Sequence, residues 1–289
     1  MNHLHKSLGL FLVSAMAISC NSKPEETTTT TEPEVKEAPA PAKTSDRPTH
    51  WGYDGEDGPA SWASLDPAYS ACGEGHHQSP INISNADVKE GVTWSLDYKE
   101  IPSFMIEHTE HMEQIVDNGH TIQVTVDEGS SFTFEGETYE LKQFHFHTPS
   151  EHTIDGKHYP MEMHMVHQSA DKSLAVISLL FETTDMANPI FTPIMDNLPN
   201  AKGDQTHITD NPINIKNAIP RENYAYHYVG SLTTPPCSEN VQWLVLRDFA
   251  SVSKEQLEAI SSRIGKNNRP VQGLNDRAVE MDDLEAITD

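Results

Sequence analysis

His145 and His147 stand two residues apart in Gln143-Phe144-His145-Phe146-His147. A third histidine, His164, follows in Glu162-Met163-His164-Met165-Val166. On a β-strand, residues two apart point to the same side. The first segment therefore presents two imidazoles on one face and two phenyl rings on the other. The second has the same alternation, with His164 on the face of Glu162 and Val166. The connection 154–160 contains Asp155, Gly156 and Pro160 and suits an antiparallel return. Three imidazoles then converge on one point. Three neutral nitrogens with a vacant fourth position describe a catalytic zinc site, whereas a structural zinc more often has four ligands and uses thiolates. The cysteines, Cys20, Cys72 and Cys237, are all remote from these histidines in sequence.

The elements that must carry these residues occupy the later four-fifths of the chain. Residues 1–19 have a basic residue, Lys6, an apolar run from Leu8 to Ile18 and a small-residue approach to Cys20. The run is too short to span a membrane and reads as a secretory signal. It resembles a bacterial lipoprotein signal, with Cys20 as the lipidated first residue and Asn21 favouring the outer membrane. An ordinary signal peptide with an incidental cysteine is the alternative. Residues 20–48 are rich in Thr, Pro, Glu and Ala and lack hydrophobic periodicity, which predicts a disordered tether. Residues 49–277 form the expected globular domain, large enough for one real core. Residues 278–289 are expected to be an acidic, frayed tail.

The chain of 289 residues has a formal net charge of −25. So acidic a surface argues against nucleic acid as a partner and against direct adsorption to anionic lipid. Membrane contact is expected only through a lipid anchor. With Cys20 assigned to lipid, Cys72 and Cys237 in an exported chain suggest one disulfide, the alternative being two free buried thiols.

Strand-like segments dominate: 112–116, 121–126, 131–134, 141–147, 162–167, 174–181 and 241–246. The run 174–181 is apolar on both faces and predicts a central strand. Two helices are expected. One is capped by Asn188-Pro189 and carries Ile190, Ile194 and Leu198. The other opens with a capping box at Ser253-Lys254-Glu255-Gln256 and stops at Gly265. The predicted fold is mostly β (α+β): a single domain around a large, twisted, mainly antiparallel mixed sheet with a few peripheral helices.

Several blocks extend the histidine pattern. Gln143 to His152 and Glu162 to His167 are joined by Gly230-Ser231-Leu232-Thr233-Thr234-Pro235-Pro236-Cys237, Gln78-Ser79-Pro80-Ile81-Asn82-Ile83, Asn118-Gly119-His120, Asn268-Arg269-Pro270 and Trp51-Gly52-Tyr53. Together, over about residues 50–275, they resemble the α-class carbonic anhydrases in their bacterial form. Thr148-Pro149 stands where most animal relatives have Trp-Gly, a departure that leaves the ligands intact.

The resemblance implies Zn²⁺ held by His145, His147 and His164, and attack of zinc-bound hydroxide on carbon dioxide to give bicarbonate and a proton. Thr233 is then expected to accept from the hydroxide and donate to Glu151, and His120 to shuttle the proton. Gln143 and Glu162 are expected to brace His145 and His164, and a backbone carbonyl near Asn267 to brace His147. Val166, Val176, Leu232 and Trp243 are the expected apolar wall, Thr234 a bicarbonate contact and Gln123 a lining residue. The resemblance also supports the Cys72–Cys237 disulfide and makes a homodimer plausible. His152 and His167 are expected to be hydrogen-bonded internal residues. His76, His77, His108, His111, His158, His207 and His227 are expected at the surface. An inactive carbonic anhydrase-like binding module, or a zinc-binding surface lipoprotein, is the competing class. The expected location is periplasmic or on the cell surface, anchored to the outer membrane.

Overall fold

The structure is a computed structural model that describes residues 50–84, 87–89, 94–109, 120–220 and 224–283. The signal, Cys20, the tether and the expected strand 112–116, with His111 beside it, lie outside the described residues. No helix among the described residues is long and apolar enough to cross a membrane.

Among the described residues a 13-stranded sheet organises the fold. Its main path runs from Gln205–Ile208 through Phe104–His108, Ile122–Val126, Glu137–His147, Met161–Ser169 and Leu174–Thr184. It continues through Glu239–Leu246, Tyr224–Ser231, Glu280–Asp283 and Asp87–Lys89. Neighbours are antiparallel except where Leu174–Thr184 meets Glu239–Leu246 and Ala250–Ser253, and where Glu280–Asp283 meets Asp87–Lys89. This is the mixed, mainly antiparallel sheet the sequence predicts. Leu174–Thr184 is interior, as its two apolar faces require.

The pleat sorts the side chains of the central strands. Phe144 pairs with Met165 and Phe146 with Met163, while His145 pairs with His164 and His147 with Glu162. The aromatic and sulfur side chains enter the larger core, beside Ile177, Leu179, Phe181 and Leu244. On the opposite face Val166, Val176, Leu180, Trp243 and Val245 belong to a second apolar cluster, closed by Ile81, Tyr228 and Leu232. The histidines thus share their face with a smaller hydrophobic cluster.

The helix Lys254–Ile264 has its expected capping box, Ser253 and Gln256 exchanging bonds, and Gly265 ends it at φ 65°. There glycine supplies the left-handed conformation without a Cβ penalty. The other helix is much shorter than expected and covers only Thr192–Met195. Asn188 does not cap it. Its side chain accepts from Ile190 N, and its backbone exchanges bonds with Gln256. Pro193 explains the late start: it has no N–H for a helix beginning at Pro189, and it fits only within a first turn.

The tail expectation is also corrected in part. Glu280–Asp283 pairs with Tyr224–His227, and the adjoining Val279 is buried in the second cluster. That anchor draws the acidic segment onto the sheet.

Candidate metal centre

Antiparallel pairing sets His145 directly across from His164, and the two-residue repeat places His147 one step along the same face. Each ring is fixed by a second partner. His145 Nδ1 lies 2.8 Å from Gln143 Oε1, His147 Nδ1 2.8 Å from the Asn267 carbonyl, and His164 Nε2 2.7 Å from Glu162 Oε1. Each acceptor calls for an N–H, so the opposite nitrogen of each ring carries a lone pair. One ligand atom from each of the three histidines lies within 4.8 Å of the others. His147 Nε2 is buried without a hydrogen-bond partner.

Burial and the neighbouring imidazoles hold His145 well below the ordinary histidine range. Burial carries His147 down to about 4, against the opposing bond to the Asn267 carbonyl. Burial also lowers His164, although Glu162 opposes it. All three rings are therefore neutral near pH 7. Three buttressed imidazole lone pairs, with one nitrogen orphaned, fit a zinc ion.

Glu162 organises the rear of the centre. Its Oε1 accepts from His164, from His152 Nδ1 at 2.6 Å and from Ser178 Oγ at 2.6 Å. Its Oε2 accepts the backbone N–H groups of Glu151 and His152 at 2.7 and 2.8 Å. Burial alone would raise this carboxyl, but His152 and His164, by charge and by hydrogen bonding, hold it well below the usual range. These bonds account for the grouping of His152, Glu162 and His164, which would otherwise resemble a second metal cluster.

Glu151 is fully buried at the front. Oε1 accepts Arg269 N–H at 2.7 Å. Oε2 stands 3.5 Å from His147 Nε2 and 3.9 Å from His164 Nδ1, with no hydrogen-bond partner. Burial pushes its pKa up to about 7, against the pull of His164, the Arg269 N–H and the Thr233 hydroxyl.

Thr233 lies in the segment leaving the Tyr224–Ser231 strand, pinned on both sides. Trp243 Nε1 donates to Ser231 O at 2.9 Å, and Cys237 N donates to Thr234 O at 2.9 Å. The Cys72–Cys237 disulfide is present, with a Cα separation of 5.0 Å. Thr234 Oγ1 is buried and unpartnered. Val166, Val176 and Trp243 lie across from one another on three adjacent strands, and Leu232 joins their cluster. The Trp243 ring is 4.9 Å from that of His164.

Gln123 and His120 are each tied to partners away from the three rings. Gln123 is paired with His145 but is buried, its amide donating to Glu107 Oε2 at 3.3 Å and Thr125 Oγ1 at 3.1 Å. It belongs to a polar network rooted in Glu107. His120, at φ 72°, directs Nε2 to the Trp51 carbonyl, and its Nδ1 meets Lys202 Nζ. It connects to the centre through Asn267, whose amide donates to His120 O while its carbonyl holds His147.

His152 and His167 are internal and hydrogen-bonded, to Glu162 and Tyr228 and to Tyr98 respectively. His108 and His227, expected at the surface, are buried. Both are strand residues, and His227 bonds Gln242. Glu107, Lys202 and Ser178 escape the sequence reading, as does the bond of Arg269 to Glu151, because all act through partners distant in the chain.

The sequence profile of the eukaryotic-type carbonic anhydrases matches residues 57–283. The chain belongs to the carbonic anhydrase family. The carbonic anhydrase of Pectobacterium carotovorum is 42% identical over 231 residues, covering 80% of this chain and 90% of that protein. The α-carbonic anhydrase of Photobacterium profundum superposes with a TM-score of 0.72 at 36% identity, over 82% of this chain and all of that one. The Thermovibrio ammonificans enzyme, solved with the inhibitor sulfanilamide, superposes with a TM-score of 0.74 at 35% identity, over 83% of this chain and all of that one. This carbonic anhydrase chain therefore spans nearly the full length of these three relatives.

Proposed function

We propose that the protein catalyses the reversible hydration of carbon dioxide to bicarbonate and a proton, with one zinc ion held by His145, His147 and His164. The observation that carries this reading is the convergence of three neutral, individually braced imidazoles beside a buried carboxylate and an apolar wall. When bound, zinc supplies the Lewis acidity that, in carbonic anhydrases, brings the pKa of a coordinated water to about 7.

The chain's own residues then divide the work. Glu162, Gln143 and the Asn267 carbonyl keep each ligating nitrogen deprotonated and aimed. Thr233 donates its hydroxyl proton to Glu151, which leaves the threonine oxygen as an acceptor and orients the attacking water. Arg269 N–H holds the Glu151 carboxyl in place for that bond. Val166, Val176, Leu232 and Trp243 exclude water and receive the apolar substrate. The Thr234 hydroxyl, buried and unpartnered, receives the product's oxygen, with Gln123 at the edge of the site. His120 carries the released proton outward.

The test is stopped-flow carbon dioxide hydration on the purified protein, zinc-loaded and after chelation. Sulfonamide-sensitive turnover that is lost with the metal and restored by zinc is expected. Protein with one zinc per chain and no turnover would overturn the reading. That outcome would favour a binding module or a metal-storing lipoprotein, neither of which needs Glu151 or Thr233.

The sequence further supports export, with Cys20 lipidated and the domain tethered to the outer membrane. Mass spectrometry of the mature N-terminus checks this, and Cys20→Ala should release the protein from the membrane fraction. Sedimentation tests whether it forms a homodimer.

A further inference from the structure

The His120 imidazole has both nitrogens engaged. Nε2 meets the Trp51 carbonyl at 3.0 Å, and a carbonyl only accepts, so Nε2 carries the ring proton. Nδ1 is then the acceptor nitrogen, and the Lys202 ammonium donates to it. Lys202 is not loosely hung. Gly203 N donates to His108 O at 2.8 Å, and Asp204 N to Ala201 O at 3.0 Å, which fixes its loop against the Phe104–His108 strand.

We propose that Lys202 is a positioning residue that gates the loading of His120, because its ammonium competes with the incoming proton for the Nδ1 lone pair. This rests on the reading of His120 as the proton carrier. A proton can be accepted at Nδ1 only when Lys202 withdraws, and the imidazolium so formed then faces a like charge. Lys202 therefore keeps His120 unloaded at rest and favours prompt release of its proton to buffer. No bond to carbon is made or broken in this step: one proton moves onto Nδ1 and off again.

Other titratable groups near the ring, among the described residues, include His50, Tyr53 and His108. His50 stands at a centroid separation of 6.0 Å and is itself 3.8 Å from Asp57. Tyr53 is at 6.4 Å. From the Phe104–His108 strand, His108 feels Lys202, Arg263, His120 and Asp204 together. Among these, Lys202 is the cation in direct contact with Nδ1.

The experiment compares wild type with Lys202→Met, Lys202→Arg and Lys202→Glu. The pH profile of kcat is recorded at low buffer, where proton export limits turnover, alongside kcat/KM. A like charge near 4 Å is worth about 1 kcal/mol in water, so Lys202→Met should raise the apparent pKa of the buffer-limited profile by roughly 0.5–1 unit. Lys202→Glu should raise it further, and Lys202→Arg should restore the wild-type profile. The change should appear in kcat and not in kcat/KM, and it should vanish in the His120→Ala background. NMR titration of the His120 ring provides a readout independent of turnover, with the same upward shift expected. Profiles and titrations that coincide within about 0.2 unit across the series overturn the proposal. So does a shift that survives His120→Ala. Absence of any carbon dioxide hydration in the wild type would instead defeat the parent reading, and the NMR titration would still decide the role of Lys202.

Discussion

Replacing Glu162 with Gln keeps the size and shape of a fully buried side chain but changes what it can accept. The carboxylate takes five donors: His152 Nδ1, His164 Nε2 and Ser178 Oγ on one oxygen, and two backbone N–H groups on the other. An amide offers one acceptor oxygen. If its nitrogen replaces Oε2, two buried backbone donors face an NH₂ group and neither can adapt. If it replaces Oε1, Ser178 can rotate, and His152 can exchange tautomers through the Tyr228 hydroxyl. His164 cannot exchange, because its Nδ1 must keep a lone pair for the metal. The less damaging orientation therefore strands one buried N–H and weakens the remaining bonds from charge-assisted to neutral. A stranded donor costs about 1–3 kcal/mol, and bonds to charged groups are worth about 1.5–3 kcal/mol against about 1 for neutral ones. Relief of the buried charge offsets part of this, leaving a net loss of about 2–4 kcal/mol. For a domain of this size that corresponds to a fall in Tm of roughly 4–16 °C. Loss of the acceptor behind His164 should also weaken zinc binding by about 10–100-fold. Urea unfolding of the zinc-saturated protein registers both effects together, and chelator competition isolates the second. A stability loss under about 0.5 kcal/mol together with unchanged zinc affinity would refute the role assigned to Glu162.

Three further outcomes follow from the same geometry. Burial depresses His167 to about 3 and His147 to about 4, so the unfolded chain binds protons at these sites before the folded one does. Their contribution to stability is complete above pH ~6.5 and falls by about 1.4 kcal/mol per group per pH unit toward those values, which urea unfolding of zinc-free protein between pH 7 and pH 5 should register. The Cys72–Cys237 bond joins residues 165 apart, so Cys72→Ser with Cys237→Ser should cost up to about 5 kcal/mol in the chain-entropy picture; a denaturation midpoint unchanged from wild type would contradict that. Thr233→Ala should lower kcat/KM for hydration by about two orders of magnitude while leaving zinc content at one per chain, since it removes orientation and not a ligand. Full activity in that variant would remove Thr233 from the mechanism.

What could be read from the sequence is what the backbone repeat alone determines. The two-residue period of 143–147 and 162–166 places three histidines, Gln143 and Glu162 on one face before any contact is known, and folding adds only the register that sets His145 against His164. The capping box at Ser253 was legible for the same reason, because its two bonds lie within four residues. The expected helix after Asn188 failed because its local cap signal competed with a distant partner, Gln256, and with Pro193. Family resemblance supplied Glu151, Thr233 and His120, but not the groups that set their chemistry. Arg269 N–H holds Glu151 from 118 residues away, and Lys202 meets His120 from 82. Neither contact leaves a periodicity or a spacing. A ligand set written into one strand pair is therefore visible in the sequence, whereas the proton chemistry around it depends on which loops the sheet brings together.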